Sequence, residues 1–179
     1  MGRSRTVNVS LVLTVIGPDR PGIVERLAQT IASHEANWLE SRMSHLAGQF
    51  AGLLRASVPE ENAAALTAAL GQLTADGLRV LIEQTASADT TAERRLLRLE
   101  LVGNDRPGIV RDISRVLAER GVNVEDLATE CNAAPMSGGM LFKATAELQA
   151  PRELSLEELH RTLEGLANDL MVEITLDSP

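Results

Sequence analysis

GPDRPGIV at residues 17–24 returns as GNDRPGIV at residues 103–110, with one difference, Pro18 against Asn104. The offset from Gly17 to Gly103 is 86 residues, and it holds outside the motif. Leu11, Leu13 and Val15 fall on Leu97, Leu99 and Leu101; Leu27 and Ile31 fall on Ile113 and Leu117; Asn37 falls on Asn123. A period this long is too large for a solenoid unit. The 179 residues therefore divide into two small domains, each with its own core.

Each half reads in the same order. Leu11, Leu13 and Val15 alternate with Val12 and Thr14, a strand with one buried face, and Arg98 and Glu100 mark the solvent side in the second copy. Gly17 and Gly103 predict a turn, and Pro21 and Pro107 a first helical position. Ile23, Val24, Leu27 and Ile31, with Ile109, Val110, Ile113, Val116 and Leu117, then recur at helical spacing. Gly121 is a good helix stop, and its counterpart Glu35 a weaker one. Extended segments follow near 38–46 and 124–132. The next strands match Phe50, Gly52, Leu54, Ala56 and Val58 to Met140, Phe142, Ala144, Ala146 and Leu148. That offset of 90 implies about four extra residues in the hairpin around Asn132–Gly139. Glu60–Leu73 and Ser155–Leu166 predict second helices, and Leu78, Val80, Ile82 and Val172, Ile174, Leu176 predict closing strands.

The order is βαββαβ, so the expected class is α+β. Each half should be a ferredoxin-like domain, with an antiparallel four-stranded sheet and both helices on one face. The expected divisions are a tail at 1–8, domains at 9–84 and 95–179, and a polar linker, TASADTTAER, within 85–94. Val12, Ala51, Leu53 and Leu81 fall on the nominally outer face of the first sheet, where a partner could sit.

Composition narrows the function. Net charge is −8, with 17 basic and 25 acidic residues, which argues against direct nucleic-acid binding. Cys131 is the only cysteine and reads as an inert strand thiol; His34, His45 and His160 lack metal-ligand spacing. With no signal-peptide pattern and no membrane-length apolar run, the expectation is a cytoplasmic protein without membrane contact. An RNA-binding sheet would need exposed aromatics, and its strands offer only Phe50 and Phe142, both assigned to the core. No nucleophile, base or paired carboxylates stand out. The chain is not expected to be an enzyme or to need a cofactor.

The repeated loop does carry chemistry. A helix N-terminus presents unpaired N–H groups and partial positive charge, and attracts anions. Gly22 and Gly108 leave the backbone approachable. Asp19 and Asp105 stand beside it, able to receive a cation. Donors for a carboxylate and an acceptor for an ammonium suit a free amino acid. Arg20 and Arg106 lie in the same loop, where they serve the site, stand on the surface or pair with a neighbouring carboxylate. Asn37 and Asn123, at the far end of the helix, offer amides to a ligand reaching across an interface. A plainer reading makes the aspartates helix caps and the asparagines turn residues. Trp38 reads as packing.

The G-x-D/N-R-P-G loop, the helix ending before G-V-N, and the strand after that Asn resemble the ACT domain family in both halves, across about residues 9–179. NWLESRMSHLAGQFAGLL in the first half resembles the tandem-ACT glycine cleavage system transcriptional repressor group. The resemblance implies a ligand held between two ACT modules, by the first loop of one and the start of the second strand of the other. Carried over by motif, the site residues are Asp19, Gly22, Ile23 and Asn37, and Asp105, Gly108, Ile109 and Asn123. It also implies a small amino-acid effector such as glycine, a protein partner such as a LysR-type activator, and sheet edges that a homodimer could complete. Equal ligand affinity in the two halves is not expected, because NVEDLATEC differs from NWLESRMSH. The competing expectation is a detached ACT regulatory subunit of an amino-acid metabolic enzyme.

Overall fold

The computed structural model describes residues 7–85, 94–134 and 139–178. Most of the tail, nearly all of the linker and the tip of the second hairpin lie outside the described residues. The chain divides into two compact units, Met1–Asp89 and Thr90–Pro179.

The first unit runs β1 (Asn8–Pro18), α1 (Ile23–Ala32), β2 (Asn37–Leu46), β3 (Gln49–Pro59), α2 (Glu60–Gln72), a 3-10 turn (Leu73–Asp76) and β4 (Arg79–Thr85). The second runs β5 (Arg94–Asn104), α3 (Ile109–Glu119), β6 (Asn123–Ala133), β7 (Met140–Pro151), α4 (Leu156–Leu170) and β8 (Val172–Asp177). The sheets are ordered β2-β3-β1-β4 and β6-β7-β5-β8, antiparallel throughout. This is the ferredoxin-like arrangement expected from the sequence, twice.

The alternating residues make the cores. Leu11, Leu13, Val15, Leu54, Ala56 and Val58 are buried under Ile23, Leu27 and Ile31 of α1 and Leu66 and Leu70 of α2. Leu97, Leu99, Leu101, Phe142 and Leu148 pack likewise under Ile109, Ile113, Leu117, Leu159 and Leu163. Trp38 is half-buried against the first core, as expected. Phe50 and Phe142 are each only 8% exposed, so neither offers the stacking surface an RNA-binding sheet needs.

Two apolar assignments change. Val24 and Val110 are exposed, because the buried stripe steps through Ile23, Leu27 and Ile31, and a residue one position on lies about 100° around the helix. Met140 is exposed too, which follows from the register. Phe50 pairs with Gly17, and Phe142 with Gly103, so the third strands correspond Phe50 to Phe142. The offset there is 92 rather than 90, and the second hairpin is longer by six residues, not four. A slip of two residues keeps every side chain on its own face, so alternation cannot detect it.

Helix α1 ends with Glu35 in the left-handed region, φ 57°, where α3 has Gly121 at φ 67°. In both, the next N–H returns to the helix, from Ala36 to the Ile31 carbonyl and from Val122 to the Leu117 carbonyl. Asn62 holds the strained turn, its amide donating to the His34 carbonyl at 3.1 Å and to Glu35 at 3.3 Å.

The outward faces differ. Leu53 and Leu81 are exposed on the first, as their alternation predicted, with Ala51 and Ile16. The second carries Arg98 paired to Glu100 at 2.9 Å and Lys143 near Glu130 at 3.9 Å.

Candidate functional site

Strand β1 does not turn at Gly17. It continues through Pro18, with Gly17 paired to Phe50. A Cβ on Gly17 would lie 2.7 Å from the Gly77 carbonyl oxygen and 2.8 Å from Leu78 Cδ2; one on Gly103 would collide with Val172. These glycines let the lead into the closing strand pack against the sheet's first strand. Their role is close approach rather than a turn.

The loop proper begins at Asp19, whose N–H donates to the Gly48 carbonyl at 2.9 Å; Asp105 donates to Met140 at 2.8 Å. Each loop is thereby pinned to the neighbouring hairpin. Pro21 and Pro107 stand before the helix, not at its first position. Gly22 and Gly108 intervene as left-handed N-caps, φ 90° and 97°, and a left-handed residue stops the helix from extending backward. Neither helix has a side-chain cap bond, so Asp19 and Asp105 do not cap. The first turn of N–H groups is left to other partners. Ile23 and Ile109 are buried in the cores, which leaves only their backbone to face a ligand.

Around this shared frame the copies diverge. The Arg20 guanidinium donates to the Asp76 carbonyl, and Arg26 pairs with the Asp76 carboxylate. Nothing lies within 4 Å of where a Gly22 Cβ would sit. At Gly108 the same position meets Arg111 Nη2 at 3.0 Å and Asp112 Oδ2 at 3.7 Å. Asp112 accepts from Arg111 Nε at 2.9 Å and Nη2 at 3.3 Å, and Arg115 approaches to 3.9 Å. The Arg111 hydrogen bond holds the Asp112 carboxyl below the usual carboxylate range. Burial opposes this, while the charges of Arg111, Arg115 and Arg106 reinforce it.

The Asn37 side chain has no hydrogen-bond partner among the described residues, whereas the Asn123 amide donates to Glu125. Cys131 stands on exposed strand β6 beside Asp105. Packing around its sulfur pushes the thiol up, as do the charge and hydrogen bond of Asp105. Among the described residues, no cluster of His, Cys, Asp and Glu is placed to hold a metal ion, and no helix is long and apolar enough to cross a membrane.

The two ends of the candidate site do not meet within a unit. Asn37 pairs with Ser57, in the row of Ser10, whereas the Asp19 loop follows Pro18. That separation is roughly 27 Å at strand rise. Asn123, in the row of Leu96, is as far from the loop that follows Asn104. An amide and a loop from the same unit cannot hold one small ligand. A feature the sequence reading missed sits just after each Asn: a β-bulge between Trp38 and Glu40, and between Val124 and Asp126. Only comparison of strand registers reveals it.

The ACT domain model of one family matches residues 10–84, and a second model, also described as ACT domain, matches residues 97–161. The chain belongs to the ACT domain family. Both units are ACT domains in tandem, and the resemblance read from the loop is thereby shown. Among solved structures, a protein from Galdieria sulphuraria described as unknown is 29% identical, with a TM-score of 0.83, over 97% of this chain and 99% of that one. A candidate glycine cleavage system transcriptional repressor is 20% identical with a TM-score of 0.70, over 96% and 97%; at this identity the likeness is one of fold. A UPF0237 protein from Methanosarcina mazei is 37% identical over 51 residues, 28% of this chain and 55% of that relative. The chain spans about half the length of the curated relatives it matches.

Proposed function

We propose that this ACT-domain protein senses a small amino acid, glycine first among candidates, and passes the signal on by protein contact. The observation that carries the reading is the uncapped start of α1, with open space over Gly22 and the Asp19 carboxylate in the same loop. The helix end supplies donors for a ligand carboxylate, and Asp19 accepts from its ammonium. Because Asn37 stands at the far end of the sheet, its amide is out of reach of a ligand held by its own unit's loop. The exposed edge strand β2 offers a second copy a place to pair. The modules of this reading are 9–84 and 95–179, joined by 85–94. The NWLESRMSH segment and the fold shared with the candidate repressor support control of glycine cleavage, and the net charge of −8 supports action through a protein partner such as a LysR-type activator rather than direct DNA reading. The alternative, a detached regulatory subunit of an amino-acid metabolic enzyme, differs only in the partner, and a pull-down with the full chain separates the two.

The test is thermal denaturation with and without glycine. A ligand that binds only the folded state raises the melting temperature in proportion to the logarithm of its excess. The rise should vanish in the double variant Asp19→Asn/Asp105→Asn while the ligand-free melting temperature stays put. A rise that survives the double variant contradicts the site.

A further inference from the structure

The sequence Glu25-Arg26 at the start of α1 is inverted to Arg111-Asp112 at the start of α3. The structure gives that inversion a consequence. We propose that the Arg111–Asp112 pair closes the second copy's loop to carboxylate ligands, so that an amino acid enters only at the first copy's loop. The proposal rests on the amino-acid reading above, and adds to it which loop is used and how many ligands each chain takes.

Among the described residues, Asp112 is the one buried charged side chain. It already takes two hydrogen bonds from Arg111, and the Arg111 guanidinium lies over Gly108, in the space that is empty over Gly22. A carboxylate approaching the N–H groups of α3 must move Arg111 off Asp112, breaking a charge-assisted two-point bond. It must then sit beside the anion thereby uncovered, and like charges at that range repel. At α1 the arginine of the inverted pair, Arg26, stands where α3 has Asp112 and is drawn to Asp76, and nothing fills the approach over Gly22. The accessory groups follow the same division. Asp105 faces Cys131, while the Asp19 carboxylate has no partner among the described residues. The second copy satisfies internally what the first leaves for a ligand.

Amide NMR of the full chain titrated with sodium acetate tests closure with a simple carboxylate probe. The Gly22–Val24 amides should shift and saturate, and the Gly108–Val110 amides should stay. The variant Arg111→Glu/Asp112→Arg, which restores the first copy's order, should make both loops respond. Asp112→Ala, a milder change that frees Arg111 to meet the probe, should do the same and guards against misfolding of the double variant. Acetate shifts at Gly108–Val110 of the wild type equal to those at Gly22–Val24 would overturn the proposal, as would silence at that loop in both variants. Glycine then replaces acetate, with one bound per chain expected in the wild type and two in the double variant. If acetate behaves as described and glycine binds neither loop, closure stands and the amino-acid reading falls.

Discussion

The two DRPG loops share a backbone and differ in what stands over it. Each has a left-handed glycine cap, a helix without a side-chain cap, and an aspartate pinned by its own N–H to the adjacent hairpin. Over Gly22 there is open space; over Gly108 there is an ion pair. Seven identical residues in eight therefore do not make two loops with the same surroundings. The duplicated backbone presents an uncapped helix start in both halves, and side chains one turn into the helix decide what stands over it.

The strongest way to break the shared frame is at the strand glycines. Gly17→Ala and Gly103→Ala should each destabilise their own unit by about 1–3 kcal/mol, because the added methyl overpacks a tight contact. At Gly17 the obstacle is a backbone carbonyl, which cannot swing aside. Denaturant unfolding monitored in each unit checks this, and a neutral Gly17→Ala would mean the close approach is not real.

A smaller effect sharpens the comparison at the helix ends, where one position has opposite residues. Glu35 holds a left-handed conformation that costs a non-glycine residue roughly 1 kcal/mol. Glu35→Gly should stabilise by less than about 1 kcal/mol, since the Asn62 contact is lost in exchange. Gly121→Ala should destabilise by about 1 kcal/mol, for conformational reasons alone, because its Cβ would meet Pro151 at an ordinary 3.6 Å. Equilibrium unfolding of the two variants should show opposite signs.

The smallest effect concerns acid. The folded state lowers the Asp112 carboxyl pKa, so its contribution is present above the unfolded value of about 3.9 and is lost as pH falls through the folded value. Stability against pH should therefore drop less steeply below about pH 4 in Asp112→Asn than in the wild type. The same substitution at exposed Asp169, which has no partner among the described residues, serves as a control. Parallel curves for Asp112→Asn and the wild type would show that the pair with Arg111 contributes nothing to the folded state.

Much of the fold was legible because alternation and helical spacing are physical requirements of burial. Leu11, Leu13 and Val15, with Ile23, Leu27 and Ile31, mark the core in the sequence itself. What failed did so for identifiable reasons. Gly17 looks like a turn residue because a glycine chosen for close approach and one chosen for a turn are the same letter. The third strands slid by two residues because period-two patterning is blind to even shifts. The loops, with Asp19, Gly22 and their repeats, stand out in the sequence as the place where a zwitterion is expected. The distance between Asp19 and Asn37 could not be read there, since it depends on strand register. Nor could the closure at Asp112: the inversion of Glu25-Arg26 is visible in the sequence, but burial and the pairing with Arg111 exist only once α3 is folded against its sheet.

The most direct test compares the two aspartates singly, by the melting temperature of the full chain with and without saturating glycine. The account predicts that Asp19→Asn removes the glycine-induced rise and that Asp105→Asn leaves it at the wild-type size. An equal loss in both variants, or a rise that persists in Asp19→Asn, would contradict it.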